Sequence, residues 1–244
     1  MNEAGEMRSS PEQALDYEVA GQHYRGVFVA RAAGTPPRAG IMVVPDWRGL
    51  SPFARQEAQQ LSRAGFDVAL VDLYGDGLYA DDERQASSLL KGLIENRTLG
   101  VARMQACMAA LQRQLPANTK IAIQAYSIGG MVSLDFGRSG ASLAGLVLCS
   151  ALLKPAGEGQ PTRIQAPVLA LHGTRDVVCP GEMVQELIKE MDGAGNDFQI
   201  VLYGQTHHAF YNPLAGTDPT ARLVYSEASD KASREEIARF LDRL

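Results

Sequence analysis

The chain has 244 residues, 45% of them hydrophobic, 21% charged and 7% aromatic, a usage that excludes a disordered, collagen-like or coiled-coil protein. Its 23 basic and 28 acidic residues leave a formal net charge of −5 without a long basic run, so no nucleic-acid partner is expected. The longest apolar stretch, residues 143–153, falls well short of the roughly 20 residues that cross a bilayer, so no membrane association is expected either.

The amino terminus is polar, with Glu3, Glu6 and Arg8, and has no apolar signal-peptide core. Three cysteines, an odd number without a CxxC pair, argue against a disulfide framework or thiolate zinc site and fit a reducing, cytoplasmic setting. Four histidines, two of them adjacent, leave an all-protein metal site open but without support, and no metal or organic cofactor is expected.

Residues 1–13 read as a flexible leader and 14–244 as a single domain. Residues 17–20 and 24–30 read as two strands around a Gly21-Gln22 turn. After a Pro/Gly loop at 31–38, short apolar runs alternate with helical segments. The runs are 41–44, 66–71, 121–123, 143–148, 168–171 and 198–202. The helices fall near 54–64, 82–93, 101–115, from 129, 182–191 and 235–244. Apolar runs without alternation are strands buried on both faces, as a parallel sheet requires. Their alternation with helices predicts a doubly wound, mostly parallel α/β sheet with helices on both faces and no large lid. Ligands on such sheets sit beyond the carboxyl ends of the strands, so chemistry is sought in the loops after the runs.

The loop after 121–123 reads Gln124-Ala125-Tyr126-Ser127-Ile128-Gly129-Gly130. A serine at a strand–turn–helix junction, with small residues two before and two after it, has the spacing of a nucleophile elbow, with Ala125 replacing the usual first glycine. A plain helix cap is the competing reading of Ser127. A serine nucleophile needs a base and an acid to orient that base. Asp176 follows the strand at 168–171, and His207 and His208 follow the strand at 198–202, giving the order Ser, Asp, His. His172 reads as a hydrogen-bonded core histidine and His23 as a solvated one.

These motifs resemble the dienelactone hydrolase family of α/β-hydrolases. The resemblance runs from about Tyr17 to Leu244 and is carried by Val44-Pro45-Asp46-Trp47-Arg48-Gly49-Leu50, Val71-Asp72-Leu73-Tyr74, Tyr126-Ser127-Ile128-Gly129-Gly130, Gly173-Thr174-Arg175-Asp176 and His208-Ala209-Phe210. It implies the α/β-hydrolase fold and a catalytic set of Ser127, Asp176 and His208, since the family's histidine precedes a small residue and an aromatic. It also implies an oxyanion hole from the backbone N–H groups of Trp47 and Ile128.

The chain departs from the family pattern in carrying serine where the namesake enzymes use cysteine, and Asp46 where they place a glutamate. Asn212 stands near the position of a substrate-gripping arginine. Asp46, Arg84, Tyr126 and Phe210 are candidate substrate contacts, although a loop carboxylate is the plainer reading of Asp46 and a surface charge that of Arg84. The loops at 74–80 and 211–218 are expected to set selectivity.

The expected activity is hydrolysis of a small ester or lactone through an acyl-enzyme, with that small molecule as the partner and the oligomeric state left open. The rivals are a catalytically silent binding protein on the same fold, and a thioesterase or acyltransferase on the same scaffold.

Overall fold

The computed structural model describes residues 10–35, 38–156 and 163–244. The proposed leader lies mostly outside them, at residues 1–9, as do Pro36 and Pro37 of the Pro/Gly loop. Where description begins, the chain enters strand β1 (Glu12–Val19), so the last two residues assigned to the leader, Glu12 and Gln13, instead pair with Val29 and Phe28 of β2 (Gln22–Val29). The hairpin turn is Ala20-Gly21, one residue earlier than expected. Both residues have positive φ, at 52° and 77°, the geometry that matches the twist of a tight hairpin.

The remaining elements are β3 (Gly40–Val44), α1 (Pro52–Arg63), β4 (Asp67–Leu70), α2 (Glu83–Glu95), α3 (Arg97–Gln112), β5 (Ile121–Tyr126), α4 (Ile128–Arg138), β6 (Gly145–Cys149), β7 (Val168–Gly173), α5 (Gly181–Gly193), β8 (Phe198–Tyr203) and α6 (Glu227–Leu241). Local chemistry sets several of the starts. Ser51 accepts the Ala54 N–H ahead of Pro52 at the head of α1, and Asp82 accepts the Gln85 N–H at the head of α2. Helix α6 begins eight residues before the expected position. Its first half buries Ser229, Asp230 and Ser233 rather than an apolar stripe, so hydrophobic periodicity could not reveal it.

The eight strands form one sheet in the order β1-β2-β4-β3-β5-β6-β7-β8, antiparallel at β1/β2 and β2/β4 and parallel from β4 to β8. Two hydrophobic cores sandwich it. On one face α1 and α6 contribute Phe53, Ala58, Ile237 and Phe240; on the other α2 to α5 contribute Leu93, Met104, Met131 and Leu187. Strands β3, β5 and β6 are buried throughout, with each large aliphatic side chain contributing roughly 1.5–3 kcal/mol.

From β3 the chain steps outward to β4, then returns to β5 on the other side of β3. The strand order therefore reverses between β3 and β5, and a crevice opens beyond their carboxyl ends.

Candidate active site

Ser127 stands at the tip of the turn between β5 and α4 with φ 49° and ψ −119°, a conformation that costs a non-glycine residue on the order of 1–3 kcal/mol. The surroundings hold it there. Its N–H donates to the Cys149 carbonyl, and its own carbonyl accepts Gly130 N–H and Leu152 N–H. The small residues after it are required by contact. A Cβ on Gly129 would lie 2.4 Å from the Pro45 carbonyl oxygen, and one on Gly130 would lie 2.2 Å from Ala151 Cβ. Helix α4 can thus press against the end of β3, which brings the β3 loop and the serine together. The helix-cap reading of Ser127 finds no support, because its side chain makes no capping hydrogen bond.

The hydroxyl instead meets His208. Ser127 Oγ lies 2.9 Å from His208 Nε2, and His208 Nδ1 lies 2.6 Å from Asp176 Oδ2. A carboxylate can only accept, so Nδ1 carries the proton, and neutral His208 is left with Nε2 as the acceptor of the Ser127 O–H. Asp176, in the turn after β7, also takes the N–H groups of Val178 and Cys179 on Oδ1, at 2.9 and 2.8 Å. Burial pushes its carboxyl up, but the His208 hydrogen bond and charge, with the backbone donors, outweigh this and hold it below the ordinary carboxylate range. All three side chains are nearly closed off, with Ser127 6% and His208 1% exposed. The neighbouring His207 lines a second cavity with Arg175, Asp176 and Arg222.

The loop after β3 supplies the facing wall. Asp46 Oδ1 accepts the Arg48 N–H at 3.0 Å and its carbonyl accepts the Gly49 N–H, so the side chain shapes the turn that contains Trp47. The Trp47 carbonyl is held by the Tyr74 hydroxyl at 2.9 Å, and the Arg48 guanidinium lies over the indole, 4.3 Å from its centroid. Tyr74 is fixed in turn by Asp72, which accepts four backbone N–H groups, those of Arg25, Tyr74, Gly75 and Gly77. Ile128 opens α4, so its N–H has no acceptor within the helix and sits at the positive end of the helix dipole.

Beside this wall is a cavity of about 490 Å³ lined by Asp46, Trp47, Arg48, Tyr79, Ala209, Asn212, Leu214 and Arg222, among others. Both loops expected to set selectivity contribute to it, through Tyr79 and through Asn212, Leu214 and Ala215. The largest cavity described, about 780 Å³, lies at the amino ends of the strands around Lys120 and Arg243, remote from the serine.

Of the four candidate substrate contacts, only Asp46 lines the cavity. Tyr126 is a correction: it precedes Ser127 on β5, so its side chain projects to the opposite face, where its hydroxyl donates to buried Glu57 at 2.6 Å. Phe210 is another, fully buried against Tyr203 and Tyr211. Arg84 is exposed on the first turn of α2 and absent from the cavity wall.

His172 is buried as expected, but its Nδ1 has no hydrogen-bond partner among the described residues. His23, expected to be solvated, is half-buried between Asp16 and Asp76 at 3.0 and 3.2 Å. Glu57 itself gave no sequence signal. It gathers Tyr126, Gln124 and Arg234 into one buried network behind the elbow. Cys107, Cys149 and Cys179 are buried and unpaired, and no described group of three or more His, Cys, Asp or Glu side chains could hold a metal. No described helix is long and apolar enough to cross a membrane.

The crossover pattern and the loops gathered beyond β3, β5, β7 and β8 define an α/β-hydrolase. A solved dienelactone hydrolase-like promiscuous phosphotriesterase from metagenomic libraries superposes with a TM-score of 0.89 at 27% identity, covering 97% of this chain and 99% of its own. The chain belongs to the dienelactone hydrolase family, whose profile matches residues 26–244. It is also similar to protein usf of Aquifex pyrophilus, 24% identical over 205 residues, covering 82% of this chain and 87% of the relative. A "Probable 2-oxo-3-(5-oxofuran-2-ylidene)propanoate lactonase" of Bradyrhizobium sp is 22% identical over 211 residues, covering 78% of this chain and 84% of its own. The family makes this chain a hydrolase of small molecules.

Proposed function

We propose that the protein cleaves a small carboxylic ester or lactone through an acyl-enzyme on Ser127. The observation that carries this reading is the unbroken line of hydrogen bonds from Ser127 through His208 to Asp176, 2.9 and 2.6 Å long, at the tip of a strained elbow. In the first half-reaction the Ser127 oxygen attacks the carbonyl carbon while His208 Nε2 takes its proton. Asp176 keeps the imidazole in the required tautomer and balances its charge. The negative oxygen of the tetrahedral intermediate is held by the Trp47 and Ile128 N–H groups at the positive end of α4. The leaving oxygen departs with the proton from His208. Water then repeats the sequence on the acyl group, restoring the free serine.

Two arginines, Arg48 and Arg222, are among the residues that line the cavity and favour a substrate that carries a carboxylate. The lactonase relative, whose named substrate is a propanoate, points the same way.

The test is covalent labelling by a fluorophosphonate, with p-nitrophenyl acetate and carboxylated lactones as substrates. Labelling confined to Ser127, and loss of turnover on the order of 10⁶ in Ser127→Ala, are the expected results. A parent chain that neither labels nor hydrolyses is a binding protein. Transfer of the acyl group to an added alcohol or thiol in preference to water makes it an acyltransferase.

A further inference from the structure

Ser150 is the first residue after β6, fully buried, and held at φ 45°, a left-handed conformation that side chains other than glycine adopt rarely. Its N–H is anchored to the Leu171 carbonyl of β7 at 2.8 Å. That anchor aims the hydroxyl at the catalytic pair. Ser150 Oγ lies 3.2 Å from His208 Nδ1 and 3.5 Å from Asp176 Oδ2, and it accepts the N–H of Ala209, the residue after the histidine, at 3.2 Å.

These three contacts admit one consistent arrangement. The hydroxyl oxygen accepts the Ala209 N–H, its proton points at Asp176 Oδ2, and its remaining lone pair faces the Nδ1–H that His208 donates to the same carboxylate oxygen. No other side chain in the described structure is hydrogen-bonded to both His208 and Asp176.

We propose that Ser150 is a positioning residue for the hydrolase, a hydroxyl clamp that fixes the His208 ring in the plane joining Ser127 to Asp176. It touches neither substrate nor the reacting bond and acts through His208. Without it, the Ala209 N–H loses its acceptor and the ring its lateral contact. The imidazole then turns about its side-chain bonds and spends less time aligned on Ser127 Oγ. Such misalignment is costly, because effective proton transfer needs donor and acceptor at hydrogen-bond distance. The backbone strain at Ser150 supports the reading. Glycine would occupy φ 45° at no steric cost, yet the position carries a serine whose hydroxyl contacts His208, Asp176 and the N–H of Ala209.

The inference rests on the hydrolase reading, and the experiment separates the two. Ser150→Ala and Ser150→Gly are compared with the parent for p-nitrophenyl acetate turnover, fluorophosphonate labelling rate, thermal midpoint and the downfield proton resonance of His208 Nδ1–H. The glycine variant suits the left-handed backbone and so guards against a simple folding failure.

The expected result is a fall of about 10- to 100-fold in kcat and in labelling rate, with KM within about two-fold of the parent. The Nδ1–H resonance should broaden or move upfield in both variants. A folded variant of either kind that keeps the parent kcat and resonance overturns the clamp while leaving the hydrolase intact. So does failure of both variants to fold, which makes the hydroxyl a structural group. A parent chain that does not label overturns the hydrolase reading itself.

Discussion

Two buried aspartates feel the charge of the same histidine, and their carboxyl groups behave in opposite ways. Asp176, after β7, has its oxygens filled by two backbone N–H groups, the His208 ring and the Ser150 hydroxyl. Asp46, after β3, has one backbone donor, Arg48 N–H, and a long 3.4 Å contact from the Tyr211 hydroxyl. Burial raises both. At Asp46 it prevails, and the group sits above the ordinary carboxylate range despite its hydrogen bonds and the nearby Arg48 and His208. At Asp176 the donors prevail, and the group sits below that range. Deeper burial with fewer donors leaves the Asp46 carboxyl raised, while closer and more numerous donors lower that of Asp176.

The strongest way to break this contrast is Asp176→Asn, which offers His208 an amide that can stabilise the wrong tautomer. A fall in kcat of about 10⁴ is expected. The same variant reports on stability. The folded-state pKa of Asp176 lies below its unfolded value of about 3.9, so its stabilisation is complete above that value and drains as the pH falls toward the folded one. The gap in thermal midpoint between parent and variant should therefore be wide at pH 7 and close on acidification below about pH 4. A gap independent of pH would show that the donors around Asp176 do not favour its charge.

Gly129→Ala strikes the other side. The added methyl would lie 2.4 Å from the Pro45 carbonyl oxygen and 2.7 Å from that of Val44, both rigid backbone, forcing the Asp46 loop away from the elbow. Denaturant titration should show a loss of about 1–3 kcal/mol, accompanied by slower fluorophosphonate labelling. An unchanged midpoint would mean that α4 and β3 do not meet so closely.

Asp46→Asn is the gentlest change. Because the folded-state pKa of Asp46 is raised, ionisation opposes folding, and that cost grows as the pH rises through the unfolded value toward the folded one. Asparagine keeps the acceptor for Arg48 N–H and carries no charge. Its thermal midpoint at pH 7 should equal the parent's or exceed it by a few degrees, the difference vanishing below about pH 4. A lower midpoint at pH 7 would assign Asp46 a charged role.

Much of this arrangement was legible in the chain itself, because Ser127, Asp176 and His208 each follow an apolar run and parallel sheets gather such ends at one rim. Side-chain direction was harder to read. Tyr126 and Phe210 are sequence neighbours of Ser127 and His208, yet they belong to the opposite core. Arg84 depended on the rotation of an isolated helix, which spacing alone does not fix. Ser150 sits inside the longest apolar stretch as an ordinary small residue, and its positive φ and its partners exist only after β6, β7 and the His208 loop have converged. The first half of α6 was missed because it buries hydroxyls and a carboxylate where an apolar stripe was sought.

Asp72 carries the same lesson into mutagenesis. An amide in its place would substitute a donor for one acceptor oxygen, turning it toward backbone N–H groups that also donate. The disturbance would travel through Tyr74 to the peptide of Trp47. A screen scored by product formation alone would therefore rank this aspartate among the chemical players, although it stands two links behind the surface that any substrate meets.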